Sequence, residues 1–370
     1  MKQHIYPKQI TDALSTVRYP GTGKNIVESG MLEDDIRIEG NKVSFSLIFE
    51  RPTDPFIKSI VKAAETAILT YVGEDVDIKG NINVITRAPE NKPEPERPLK
   101  GVKNIIGISS GKGGVGKSTV SSNLAVALAR LGYKVGLLDA DIFGPSVPKM
   151  FGVEDAQLYI HEVDGKNLII PHERYGVKML SIGFLVDRNS AQVWRGGMAS
   201  RALTQLITDG DWGELDYFLI DMPPGTSDIH LTLVQTLAMT GAVVVSTPQE
   251  VALADARRGI AMFRDKNINV PILGLIENMA WFTPDKHPDE KYYIFGQDGG
   301  VKLAKELGVE LLGQIPVVMS IRQGGDEGTP VATGDSVTAQ AFLHAARELT
   351  EAVDRRNNEL PPTQVVQVKH

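Results

Sequence analysis

One segment limits this chain more than any other. Residues 103–109 (KNIIGIS) are a short apolar run of the buried-strand type; after Ser110 come Gly111, Lys112, Gly113, Gly114, Val115, Gly116, Lys117, Ser118 and Thr119, and residues 117–130 are patterned as a helix. A strand, a loop of the form G-x-x-x-x-G-K-[ST] and a helix together make a phosphate cradle. Glycines let successive backbone N–H groups turn toward one anion, and the helix N-terminus adds positive partial charge. In such a loop the Lys117 ammonium serves the β- and γ-phosphates of a nucleotide and the Ser118 hydroxyl ligates Mg²⁺.

The same glycines also spell G-x-G-x-x-G (Gly111, Gly113, Gly116), and Asp139 follows the next strand where dinucleotide-binding folds place a ribose-binding acid. Lys117 and Ser118 argue against that reading, because a pyrophosphate held by backbone needs neither. A second acid decides. Residues 216–221 (DYFLID) are an apolar strand ending in Asp221, followed by Met222-Pro223-Pro224-Gly225-Thr226. Such a strand delivers a carboxylate to a Mg²⁺ shell, with a glycine hinge beside the γ-phosphate. Asp139 and Asp141 end the strand after the loop helix; a carboxylate there can hold water near the γ-phosphate, and capping of the strand end is the plainer alternative. Asn278 closes an apolar strand at 271–276. Its amide can accept from adenine N6 and donate to N7, a pairing guanine disrupts, while a turn-forming asparagine is the competing explanation. The chain has no N-K-x-D motif, so ATP is the expected nucleotide.

Around these motifs strands and helices alternate. Strands are expected at 103–109, 134–138, 177–182, 217–221, 242–246, 271–277 and 310–314, with an Asp164-Gly165 turn marking an inserted hairpin. The expected fold is α/β: a mostly parallel, doubly wound sheet with its nucleotide at the carboxyl ends. Residues 88–100 (APENKPEPERPLK) carry four prolines and three glutamates and read as an extended linker. They divide the chain into a small α+β domain at 1–87 and a nucleotide domain at 101–357, with a polar tail at 358–370. In the small domain a helix at 7–17 precedes a hairpin at 35–49, where Val43, Phe45, Leu47 and Phe49 alternate; a helix at 53–71 and a strand at 76–85 follow. Asp54 reads as the N-cap of that helix.

With 39 Lys+Arg against 46 Asp+Glu the net charge is −7, which disfavours phosphate backbones and anionic lipid as partners. The N-terminus lacks a signal-peptide core and no run reaches about 18 apolar residues, so neither nucleic acid nor membrane is an expected partner and the cytoplasm is the expected location. There is no cysteine in the 370 residues, which removes disulfides, thiol catalysis and thiolate ligation of metal by this chain.

Lys112, an additional lysine inside the loop, makes this the deviant Walker A form. GKGGVGKST, LLDADIFGPSVPKMFG (137–152), VWRGGMAS (193–200), DMPPGTSD (221–228), TPQEVALADARRG (247–259) and ENM (277–279) resemble, in order, the Mrp/ApbC family of iron-sulfur cluster carrier ATPases. The front domain resembles the small domain related to SufT and PaaD, which commonly carries a cysteine where Asp54 stands here. The resemblance implies a homodimeric Mg-ATPase that delivers clusters to apoproteins, with ATP and Mg²⁺ as cofactors. Lys112 then reaches the partner subunit's phosphates, Asp141 orients the attacking water, Asp139 supports the site, and Ser118 and, through water, Asp221 serve Mg²⁺. An iron-sulfur cluster is implied by the resemblance alone. Carriers of this family hold it with a C-x-x-C pair after ENM. Residues 280–293 here are AWFTPDKHPDEKYY, and Asp285, His287, Asp289 and Glu290 poorly replace soft thiolates, so a solvated loop is expected and no cluster ligands are assigned. The alternative function is an ATP-dependent adaptor that recruits assembly partners without carrying a cluster. A DNA-partition or septum-placing ATPase is disfavoured by the charge and by a tail without a basic amphipathic stripe. Arg195 beside Trp194 is either a nucleotide or partner contact or a stacked structural arginine, Arg257 and Arg258 read as a solvated helix face, and His230 has no ligand spacing.

Overall fold

The computed structural model describes residues 5–20, 23–49, 53–86, 98–142, 144–163, 165–185, 196–284, 287 and 289–366. The chain divides into two compact units, Met1–Glu96 and Arg97–His370. The first contains α1 (Pro7–Leu14), β1 (Arg37–Glu39), β2 (Lys42–Phe49), α2 (Ile57–Tyr71) and β3 (Ile82–Thr86). β1 and β2 form the antiparallel hairpin around Gly40, and β3 pairs with β2 in parallel, Phe45 opposite Ile82. Val43, Phe45, Leu47 and Phe49 face a core shared with Ile10, Leu14, Ile60 and Ile68. Asp54 departs from its expected role. Its Oδ1 accepts from the Phe56 N–H at 2.8 Å, and the Tyr19 hydroxyl donates to its Oδ2 at 2.6 Å. The helix starts at Ile57 with Phe56 in the cap position, so Asp54 closes an Asx turn ahead of it.

The second unit runs β4 (Val102–Ser109), α3 (Lys117–Arg130), β5 (Val135–Asp139), α4 (Val147–Met150), β6 (Tyr159–Val163), β7 (Lys166–Ile170), β8 (His172–Arg174), β9 (Val177–Ser181), α5 (Gly196–Thr208), β10 (Leu215–Asp221), α6 (Asp228–Thr236), β11 (Gly241–Ser246), α7 (Glu250–Phe263), β12 (Ile272–Phe282), α8 (Gly299–Leu307), β13 (Leu311–Val317), α9 (Met319–Glu327) and α10 (Val337–Glu359). Eight strands form one sheet in the order β13-β12-β11-β4-β10-β5-β9-β8, parallel except for β8. β5 and β11 are buried from end to end and β4 is buried over its last five residues, as expected where helices cover both faces of a parallel sheet. Leu124 and Leu128 of α3 pack with Phe342 and Leu349 of α10 on one face. Leu203 and Leu206 of α5 pack with Leu233 of α6 on the other.

Three features differ from expectation. The short edge strand β8 was not legible, because three residues between a proline and a turn carry too little pattern. β12 continues past Glu277 to Phe282 through an irregularity at Met279, whose φ is +56°. The segment after α10 is not a free polar tail: the Val366 N–H donates to the Val234 carbonyl of α6 at 3.1 Å, and Arg356 donates to the Pro361 carbonyl at 2.7 Å. Val366, partly buried, packs against the core cluster of Leu233 and Val234.

Candidate functional site

The sheet places the chemistry at the carboxyl ends of β4, β5 and β10. The loop after β4 wraps over the start of α3. Gly116 holds φ +82°, and a Cβ there would lie 2.2 Å from Asn278 Nδ2, so backbone conformation and close approach both demand glycine. At Gly111 a Cβ would lie 2.1 Å from the backbone of Asp255 on α7.

Lys117 opens α3 with its side chain buried. Its Nζ donates to Asp221 Oδ1 at 2.7 Å, stands 3.2 Å from Ser118 Oγ and lies 3.6 Å from Asp141 Oδ2. The Ser118 hydroxyl donates to Asp221 Oδ2 at 2.6 Å, and Ser121 Oγ lies 2.7 Å from Asp221 Oδ1. Asp221 is fully buried, and these donors with the Lys117 charge offset its desolvation. Ser121 was missed in the sequence. Its signal was spacing, since four residues after Lys117 on a helix returns to the same face.

The parallel register sets Asp139 of β5 directly opposite Asp221 of β10. Two carboxylates therefore sit side by side in the interior. Burial first, then the Asp221 charge, push the Asp139 carboxyl up to about 8, with the Ser181 hydroxyl working against them. Asp139 accepts from Ser181 Oγ at 2.9 Å and from the N–H groups of Asp141 and Val147, both at 3.2 Å. It holds the start of the loop that carries Asp141, and Ser181 is a second residue that sequence reasoning did not single out. Asp141 is nine-tenths buried and borders the same cavity as Lys117.

That cavity, about 190 Å³, is bordered by Lys112, Gly113, Gly114, Ser118, Asp141 and Pro224. A second, about 350 Å³, shares Gly116, Thr119 and Met150 with it and is further bordered by Asn278, Pro316 and Ile321. Val115 faces the interior, and its carbonyl accepts from Asn278 Nδ2 at 2.8 Å, so Asn278 fastens the phosphate loop besides bordering the larger cavity. Lys112 is exposed. Gly225, at φ +77°, donates from its N–H to the Ser110 carbonyl at 2.8 Å, holding the loop after β10 against the phosphate loop.

α6 begins directly after that loop, and Ser227 with His230 forms its capping box. His230 Nδ1 accepts from the Ser227 N–H at 3.2 Å, while Nε2 is buried without a partner among the described residues. Burial, then the Lys117 charge, lower the imidazole to about 4. Arg257 pairs with Glu306 at 2.8 Å and Arg258 with Asp255 at 3.0 Å on exposed surface. Trp194 and Arg195 lie outside the described residues.

The segment after Asn278 is exposed at its described residues 287 and 289–294, and one antiparallel bridge closes its base. Phe282 and Tyr292 exchange backbone hydrogen bonds at 2.8 and 2.9 Å, and Lys291 Nζ stands 4.0 Å from the centre of the Trp281 ring. His287 and Glu290 approach to 3.5 Å at its exposed end, Asp289 is exposed, and Asp285 lies outside the described residues. Among the described residues no group of three or more His, Cys, Asp or Glu could hold a metal ion, and no helix is long and apolar enough to cross a membrane.

Comparison with known proteins gives the family of the chain. Residues 101–350 match the family model of the NUBPL iron-transfer P-loop NTPases, and residues 7–79 match that of an iron-sulfur cluster assembly protein domain. The chain is 44% identical over 351 residues to an iron-sulfur cluster carrier protein of Synechocystis, covering 93% of this chain and 98% of that protein. It is 46% identical over 258 residues to the mouse iron-sulfur cluster transfer protein NUBPL, covering 69% and 79%. Among solved structures, a nucleotide-binding protein from Archaeoglobus fulgidus in complex with ADP matches at 38% identity with a TM-score of 0.54, covering 62% of this chain and 88% of that one. With a phosphate loop, two interior acids and a family model spanning most of its length, this chain belongs to the NUBPL-type iron-transfer P-loop NTPases, the family of the iron-sulfur cluster carrier proteins.

Proposed function

We propose that this protein binds and hydrolyses Mg-ATP as a homodimer and uses the cycle in delivering iron-sulfur clusters to apoproteins. The observation that carries the ATPase reading is the convergence of Lys117, Ser118 and Asp141 on one small cavity at the start of α3, with the buried Asp221 bonded to Lys117 and Ser118 behind it. Hard oxygen donors from Ser118 and Asp221, 2.6 Å apart, suit Mg²⁺, with a water completing the Asp221 contact. When bound, the ion neutralises charge developing on the β- and γ-phosphate oxygens. The chain's own residues position the reactants. Backbone N–H groups of residues 113–119 hold the phosphates, Lys117 turns from Asp221 toward them, and Asp141 accepts a hydrogen bond from the attacking water. Asn278 Oδ1 accepts from adenine N6 while its amide keeps the loop in place. The exposed Lys112 serves the partner subunit's phosphates. Phosphate release from Mg-ATP tests the reading: turnover by the parent and none by Lys117→Ala is expected, and absence of turnover in both would overturn it.

The cluster is cargo, and this chain cannot ligate it with thiolates, because it contains no cysteine. Among the described residues of the segment after Asn278, no group of metal ligands takes their place. This favours the adaptor form of the function, in which a cysteine-bearing partner or a small thiol holds the cluster while this protein supplies the nucleotide-dependent step. Anaerobic reconstitution with ferrous iron and sulfide, then desalting and Mössbauer spectroscopy, is expected to leave the protein without cluster. Stoichiometric iron and sulfide retained per dimer with no added thiol would refute the adaptor form.

A further inference from the structure

We infer that the end of the sheet opposite the phosphate loop holds a binding site for an organic monocarboxylate, anchored on Arg356. Buried arginine is ordinarily paired with an acid. Arg356, near the end of α10, is only 9% exposed, yet no ion pair to it occurs among the described residues. Its hydrogen bonds go to neutral acceptors: Nη1 to Asn357 Oδ1 at 3.1 Å, Nη2 to the Pro361 carbonyl at 2.7 Å and to Thr363 Oγ1 at 3.3 Å. Nε is buried with no partner. A guanidinium offers five N–H donors, and here Nη2 already serves two acceptors while the Nε–H is unused. Burial lowers the guanidinium, with no carboxylate to offset it. Neutral acceptors do not cancel the charge, so the fold keeps a buried cation that an incoming anion can neutralise.

The room for a ligand is there. Cavities of about 510 and 420 Å³ are both bordered by Arg356 and by residues 360, 362 and 363, within the range of small-molecule sites. The larger lies beneath the amino ends of β4 and β11, with walls from Leu99, Val102, Ile105, Ala238 and Pro362. Lys103 on its rim is tied to Asp216 at 2.8 Å. A buried cation without an acid, one free Nε–H and apolar walls, with the bordering Lys100 and Lys103 both already partnered, fit a single carboxylate on an apolar body better than a polyphosphate, which needs several cations. The site is remote from the nucleotide, so it stands or falls independently of the ATPase reading.

Octanoate is a direct probe, with inorganic phosphate and 1-octanol as comparators, titrated calorimetrically into the full-length protein. Saturable one-site binding of octanoate is expected, with both comparators much weaker. Arg356→Gln should weaken octanoate at least about thirtyfold, the loss typical of removing one partner of a buried charge pair. Ala238→Phe, which fills the larger cavity and leaves the guanidinium in place, should weaken it as well, with ATP affinity retained as evidence of folding. No octanoate binding, equal binding in both variants, or phosphate or octanol binding as tightly as octanoate would overturn the proposal.

Discussion

At the scale of single residues, the buried ion pair between Lys117 and Asp221 ties nucleotide binding to stability. Lys117→Ala is expected to weaken Mg-ATP at least about tenfold by calorimetry, because it removes the point charge aimed at the phosphates. It also leaves Asp221 buried without a counter-ion, at a cost of about 3 kcal/mol. Adding Asp221→Asn should return part of that stability in urea melts without restoring ATP affinity. Recovery of both would show that the lysine acts only as a structural counter-ion. Asp141→Asn should leave ATP binding intact and slow phosphate release by about a hundredfold, the range for loss of a positioned carboxylate. An unchanged rate would assign Asp141 to holding the loop.

At the scale of elements, α6 depends on a neutral His230. The imidazole stands at about 4 in the fold against 6.5 ordinarily, so the unfolded chain binds the extra proton between those values. Its contribution to stability is therefore full above about 6.5 and is lost as the pH falls toward 4, with a total of roughly 3 kcal/mol. His230→Gln retains an acceptor for the Ser227 N–H and does not titrate; its urea midpoint should fall less than the parent's between pH 7 and pH 4.5. Equal slopes would place the titrating group elsewhere. The long elements were legible because their signal is local: β4, β5, β10 and β11 are continuous apolar runs, and α3 follows a loop that has few other uses. The Asx turn at Asp54, the edge strand β8 and the bend at Met279 were not, because turn closure and edge pairing depend on neighbours distant in the sequence.

At the scale of the whole molecule, the exposed Lys112 makes the dimer testable. Lys112→Ala and Asp141→Asn subunits are each expected to be nearly inactive. Mixed in equal amounts they should recover about a quarter of parental turnover, since half of randomly assorted dimers are hybrids with one intact site. No recovery would contradict a lysine acting across the interface. By itself the sequence determined the α/β class, the phosphate loop with Lys117 and Ser118, the acid at Asp221 and the absence of thiolate ligands, because each is a matter of composition or of spacing within one segment. Only the tertiary structure decided that Asp139 and Asp221 face each other, that Ser121 and Ser181 support them, that Asn278 clamps the loop, and that the return of residues 360–366 leaves Arg356 buried without an acid among the described residues. Those are contacts between elements 40 to more than 160 residues apart in several cases, and strand order and register, which a linear pattern does not encode, bring them together.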